Sequence, residues 1–360
     1  MKKVELKDFL EYNFLSNVKM SPDKDSCIFQ VAKCDEESNA YHTNIFAWRN
    51  GECIPLTQSN KDSSAMYLDN ETILFKSSRS ASDQERVKNG EELTSFYTIS
   101  LNGGEAKKYF EIPLAVSAIE KISGEEFLVL ASYNKDFSIV GREDKKEELL
   151  KTKKEEKDYE VFTKIPFCHN GGGYAANAIS RLYIYNVTSK SLKAISPENV
   201  NVSSYCLKED KSEIVIVGEN ECKHVSLRSG LFTYHLGTGK WQERIKEKEF
   251  EIDAAYYFND GILFIGNREW KHGHNENGRF FILDDENIET PTLFIHSDED
   301  YRCPLEQGLQ LYTAMVDKGV DTRFVLFHGE NHELSRAGKP KHRIRRLKEI
   351  REWMEKYLKR

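Results

Sequence analysis

An incomplete β-propeller of about four to five blades, followed by the closing part of a doubly wound α/β sheet, is the fold class predicted by this 360-residue sequence. Three observations predict it. Aromatic-rich hairpins recur between residues 20 and 284, each followed by a further strand pair. Their turns, near Asn50, Asn102, Thr188 and Thr238, return at roughly fifty-residue intervals with one longer gap. After Ile288 the rhythm changes to apolar strand, amphipathic helix, second strand and long final helix.

The repeat can be followed along the chain. NIFAWRNGECIPLT, SFYTISLNGGEAKKYF, RLYIYNVTSKSLKAI and GLFTYHLGTGKWQERI share one plan, an aromatic-rich strand, a tight Gly, Asn or Ser turn and a second strand. The pairs that follow are SAMYLDNETILFKSS, AVSAIEKISGEEFLVLAS, SSYCLKEDKSEIVIVGE and DAAYYFNDGILFIGN. Four strands per unit make a propeller blade. The long gap holds Arg142 to Tyr159 (REDKKEELLKTKKEEKDY), which reads as a solvated insertion, either an exposed helix or a loop. A fifth hairpin opens at GRFFILDDEN and stops. These boundaries give a propeller-like domain over 1–286, with the charged insertion at 142–159, and a second domain over 287–360.

In that second domain Leu293, Phe294 and Ile295 form a continuous apolar run, as a strand buried in a parallel sheet requires, so a strand is predicted from Thr292 to Ile295. Pro304 opens a helix with Leu305, Leu309, Tyr312 and Val316 on one face, ended by Gly319. Thr322 to Phe327 forms the next strand. The last helix, from about Lys341, turns Ile344, Leu347, Ile350, Met354, Tyr357 and Leu358 inward. An acid after the first strand, Asp300 in HSDEDYRCP, and a histidine after the second, His332 in FHGENHELS, follow the chain order of α/β-hydrolase triads. The crossover should bring the two within about 6 Å. No Gly-x-Ser-x-Gly occurs in the chain, so the turn that raises a nucleophilic Ser is missing.

Composition excludes several classes. With 39% hydrophobic residues, 17 Tyr and 20 Phe, the chain can fill a sizeable core. Its 52 Lys and Arg stand against 59 Asp and Glu, which leaves no basic field for nucleic acid. No run approaches the ~20 apolar residues of a membrane span, and a cytoplasmic location is expected. The seven cysteines are scattered without a Cys-x-x-Cys pair, and read as reduced and mostly buried. His272 and His274, Cys222 and His224, and Glu330 and His332 lack the spacing of a zinc set, and Gly171 to Gly173 lack the Lys-Ser/Thr of a phosphate loop. No metal and no cofactor are therefore expected.

These residues resemble the prolyl oligopeptidase family of serine peptidases, in its acylaminoacyl-peptidase-like branch. The likeness is strongest in IETPTLFIHSDEDYRCPLEQGLQLYTAM and GENHELSRAGKPKHRIRRLKEIREWMEKYL. It is weaker in YNFLSNVKMSPDKD and VFTKIPFCHNGGGYAANAISRLYIYNV. The resemblance implies a β-propeller followed here by only the C-terminal part of an α/β-hydrolase domain, with Asp300 as triad acid and His332 as triad base. It also implies an internal loss of the segment that bears the Ser and the oxyanion hole. Cys303 matches an ordinary loop residue of the family, although it could in principle pair with His332. Family substrates are short or N-acylated peptides. Three readings follow from this: a shortened peptidase inactive alone, a non-catalytic propeller-type peptide or protein binding module, and a chain that lends Asp300 and His332 to a Ser-bearing partner. Separately, four blades and part of a fifth leave open strand edges, so self-association is expected.

Overall fold

The computed structural model describes residues 7–159, 161, 168–169, 173–174, 178–220, 228–247, 249–258, 261–267, 279–283, 291–303, 305–317 and 319–358. The chain divides into two compact units, residues 1–200 with 222–225, and residues 201–221 with 226–360.

The first unit is a succession of four-stranded antiparallel sheets. Strands β1 (Asn13–Met20), β2 (Ser26–Asp35), β3 (Ala40–Arg49) and β4 (Glu52–Pro55) form the first. Strands β5 (Asp62–Tyr67), β6 (Thr72–Ser77), β7 (Thr94–Ser100) and β8 (Lys107–Ile112) form the second. The third joins β9 (Val116–Lys121) and β10 (Glu126–Asn134) to β13 (Ala178–Asn186) and β14 (Leu192–Ala194), with a small hairpin of β11 (Cys168–His169) and β12 (Gly173–Tyr174) between β10 and β13 in sequence. Each predicted hairpin of this unit is the third and fourth strand, in chain order, of its sheet. Asn50 and Gly51 both take positive φ, 54° and 82°, which is the primed two-residue turn that matches strand twist.

Packing explains the apolar run Ile73-Leu74-Phe75 in β6, where all three side chains are fully buried. Successive side chains of a strand point to opposite faces. Ile73 and Phe75 join Ile28 and Ile45 of the first sheet, while Leu74 joins Phe110, Phe127 and Val129 towards the third. A middle sheet covered on both faces needs apolar residues on both.

Two helices interrupt the strands. Helix α1 (Ala81–Lys88) was not legible as a helix, yet Ser80 accepts the Asp83 N–H at 3.2 Å, the Ser-x-x-Asp cap that opens a helix. The charged insertion contains α2 (Lys146–Glu155), tied back by Lys146 to Glu91 at 2.9 Å and Lys153 to Glu92 at 3.2 Å. The cysteine expectation needs correction: of the five whose burial is described, Cys27, Cys34 and Cys206 are half-buried and Cys53 and Cys303 are exposed. The pairs at His272/His274 and Cys222/His224 lie outside the described residues, as do Gly171 and Gly172.

The second unit continues with a sheet of β15 (Val200–Leu207), β16 (Glu213–Asn220), β17 (Gly230–His235) and β18 (Lys240–Ile245). A sheet of β19 (Glu251–Phe258), β20 (Gly261–Asn267) and β21 (Arg279–Leu283) follows, so among the described residues four of these sheets have four strands and the fifth has three. Val217, Leu231 and Ile252 pack with Phe264, whose ring stacks on Phe281 at 5.1 Å. At Gly266 an added Cβ would lie 2.4 Å from the Glu251 carbonyl oxygen. Gly266→Ala is therefore expected to force β19 and β20 apart and to cost this unit about 1–3 kcal/mol, read as a lower urea midpoint.

The chain ends in β22 (Thr292–Ser297), α3 (Leu305–Asp317), β23 (Thr322–Phe327), α4 (Leu334–Ala337) and α5 (Pro340–Leu358). Strands β22 and β23 are parallel neighbours, paired in register from Thr292 with Thr322 to Ser297 with Phe327. Phe324 stacks on Phe294 at 5.7 Å and meets Tyr312 of α3 edge-on at 5.5 Å. Gly308 lets α3 approach, since a Cβ there would stand 3.1 Å from His296. Sequence periodicity misplaced part of the inward face of α5, and part of the apolar face of α3 is also open to solvent. Leu309 and Val316 of α3, and Ile344, Leu347, Met354 and Leu358 of α5, are exposed. The rotation of α5 is set by Glu349, 3% exposed, which binds Arg323 of β23 at 2.9 Å and also Arg345. A two-stranded sheet is too narrow to cover the remaining apolar stripe. Among the described residues, no helix is long and apolar enough to cross a membrane.

Candidate active site

Because β22 and β23 are parallel and in register, both end at one level, and the residues that follow emerge side by side at the carboxyl edge of the sheet. That edge is where open α/β sheets place their functional loops. Asp300 lies three residues past β22 and His332 five past β23. Backbone bonds join the two loops: the Asp298 N–H donates to the Phe327 carbonyl at 3.2 Å and the Glu299 N–H to the Glu330 carbonyl at 3.0 Å.

Asp300 Oδ2 and His332 Nδ1 are 3.1 Å apart, well inside the reach expected from the crossover. The other oxygen, Oδ1, accepts the N–H groups of Cys303 at 2.8 Å and Arg302 at 3.1 Å. The Asp300 side chain is 10% exposed and that of His332 is 34% exposed. Burial works against ionising Asp300. The Cys303 N–H, His332 and the Arg302 N–H outweigh it and hold the carboxyl below its ordinary range. The imidazole thus has one nitrogen on an oriented carboxylate, the relation by which a triad acid fixes the tautomer of its base.

A pH effect follows. A carboxyl whose folded pKa is depressed contributes stability above its unfolded value, about 3.9, and loses it as pH falls through the lower folded value. Hydrogen exchange at the Arg302 and Cys303 amides is therefore expected to stay protected at neutral pH and to accelerate, relative to Asp300→Asn, only below about pH 4.

A second pair was missed in the sequence. Asp298, the less favoured acid there, binds His328 at 2.7 Å and accepts the Gly329 N–H at 2.7 Å. Gly329 has φ of 64°, a left-handed conformation that glycine adopts without strain. The side chain of His328 is 81% exposed, so the histidine of this pair lies in solvent while Asp298 is half-buried. The signal was available as a second Asp and a second His at matching offsets from the two strand ends. Glu330 is buried at 6% exposure. It accepts the Lys339 N–H at 3.0 Å and pairs with His342 of α5 at 2.6 Å, which secures the loop that carries His332.

Cys303 is exposed and close to the pair, but its thiol is pushed up by burial of the sulfur and by the Asp300 charge. At neutral pH it is a protonated thiol, unlike the low-pKa cysteines of Cys-His nucleophiles.

Propeller-type sheets followed in sequence by a parallel βαβ unit that carries an Asp-His pair agree with the fold class the sequence predicts. Residues 245–360 match the prolyl oligopeptidase family, so the resemblance read in the sequence holds in this C-terminal region. The uncharacterized peptidase YuxL of Bacillus subtilis is 44% identical over 72 residues, 20% of this chain and 11% of the relative. Dipeptidyl-peptidase 5 of Aspergillus fumigatus is 51% identical over 43 residues, 12% of this chain and 6% of that protein. The matched stretches thus span about a tenth or less of these relatives. Among solved structures, the acylaminoacyl peptidase of Pyrococcus horikoshii superposes with a TM-score of 0.54 at 15% identity, covering 78% of this chain and 39% of that one. At that identity the likeness shows the fold.

Proposed function

We propose that this chain is a serine-peptidase derivative that retains the acid and base of the triad, Asp300 and His332, on residues 287–360, and does not complete an acyl-enzyme by itself. The observation that carries this reading is the 3.1 Å Asp300–His332 contact at the carboxyl edge of two parallel strands. The absence of a Gly-x-Ser-x-Gly from the sequence supports the second half. In the complete reaction His332 would take the proton of a Ser hydroxyl and return it to the leaving amine, while Asp300 stabilises the imidazolium. The substrates of that lineage, on this reading, are short or N-acylated peptides in the cytoplasm, with residues 1–286 as the propeller that limits access to them. Aminoacyl-nitroanilides and N-acetyl-peptides incubated with the purified chain test it: no turnover above background is expected, and turnover abolished by His332→Ala would overturn it.

A non-catalytic peptide-binding role is the second reading, favoured by a cleft of about 490 Å³ in the first unit lined by Lys61, Lys76, Asp83, Thr94 and Val116 among others. Lys76 is half-buried there and donates to the Val116 carbonyl at 3.2 Å, offering a cation to a peptide carboxylate. Self-association is supported by β1, whose eight residues are all exposed and include Leu15, Val18 and Met20.

A further inference from the structure

We propose that Asp300, Cys303 and His332 form a binding site for a divalent ion of the zinc class. One ligand atom from each, a carboxylate oxygen, a thiol sulfur and a ring nitrogen, lies within 4.8 Å of the others. Among the described residues no second group of three such side chains gathers in this way. Carboxylate, imidazole and thiolate together are a zinc donor set, and three protein ligands leave the fourth tetrahedral position open. Spacing along the chain hid the site because the strand pairing, rather than a short motif, brings His332 to the Asp300–Cys303 turn.

The dimensions fit. With bonds of about 2.0 Å to oxygen and nitrogen and 2.3 Å to sulfur, tetrahedral ligands stand about 3.3 Å apart for O and N and about 3.5 Å apart for S and N. Asp300 and His332 are already 3.1 Å apart. The Cys303 sulfur, on an exposed loop, lies within 4.8 Å of a ligand atom of each, so it must approach by no more than about 1.3 Å. The carboxylate is also braced from behind, since the Cys303 and Arg302 N–H groups hold Oδ1 and leave Oδ2 to the metal. Such outer bonds fix ligand orientation in metal sites. On binding, the ion replaces the Asp300–His332 hydrogen bond, and the Cys303 thiol loses its proton to solvent as the metal–sulfur bond forms. This site does not depend on the peptidase reading, because it uses the thiol and needs no Ser.

The test is Zn²⁺ titration of the full chain in competition with a chromophoric chelator under reducing conditions, with Co²⁺ as the optical reporter. The wild type is expected to take up one equivalent that is lost in Cys303→Ser and His332→Gln, each weakening binding at least about tenfold. Cys53→Ser, which alters an exposed cysteine elsewhere, should leave it unchanged. The Co²⁺ form should show a near-ultraviolet thiolate charge-transfer band that disappears in Cys303→Ser. Far-ultraviolet circular dichroism of each variant, and Cys303→Ala as a second replacement, separate ligand loss from misfolding. Equal uptake by wild type and Cys303→Ser, or a Co²⁺ complex with no thiolate band at millimolar cobalt, overturns the proposal.

Discussion

Replacing His332 by Ala is expected to leave the slow background hydrolysis of peptide and ester substrates unchanged. In a complete triad the same replacement removes a factor of about 10⁶ from kcat. The contrast arises because nucleophile, base and oxyanion donors act as one unit, and an oriented base has nothing to deprotonate without the Ser. Asp300 holds His332 at 3.1 Å in a chain without a Gly-x-Ser-x-Gly, so a well-formed pair does not by itself predict activity. Asp300→Asn should be equally silent in the assay. Initial rates of the wild type and both variants, measured with aminoacyl-nitroanilide and N-acetyl-peptide substrates, check this directly. A drop in either variant would reveal an activated nucleophile that the sequence does not announce.

Phe110→Ala is expected to destabilise the first unit by about 3–5 kcal/mol. The Phe110 ring lies 5.0 Å from Phe96 in its own sheet, and 5.3 Å from Phe127 and 5.1 Å from Tyr185 in the next. It therefore joins two successive sheets, and its loss opens a cavity that neither sheet can close alone. Phe14, 43% exposed on β1, provides the comparison, and Phe14→Ala should cost no more than about 0.5 kcal/mol. Urea unfolding followed by far-ultraviolet circular dichroism reads both changes as shifts in midpoint.

The propeller repeat was legible because the register of a hairpin is written locally. Asn50-Gly51 specifies its turn, and alternating aromatic residues specify which face is buried. The β22–α3–β23 crossover was legible for a similar reason, since a continuous apolar strand next to an amphipathic helix has few other uses. The pairing of Asp300 with His332 followed from chain order together with family resemblance. Other features depend on partners distant in sequence. Helix α1 has a mean composition too polar for periodicity to detect, and only the Ser80 cap signals it. In α5 the apolar stripe through Ile344, Leu347 and Met354 suggested the inward face, but the ion pair of Glu349 with Arg323 sets the rotation. The Asp298–His328 pair and the approach of Cys303 to His332 required the register of two strands that are separated by a helix.

The most direct test of the central claim, that this chain holds a prepared acid and base without an activated serine, is intact-mass analysis after exposure to a fluorophosphonate probe. Such probes add covalently to a serine only when a base and oxyanion donors activate it. The account predicts no mass increment in the wild type, and the same unmodified mass in His332→Ala. A single serine adduct that forms in the wild type and is lost in His332→Ala would contradict it.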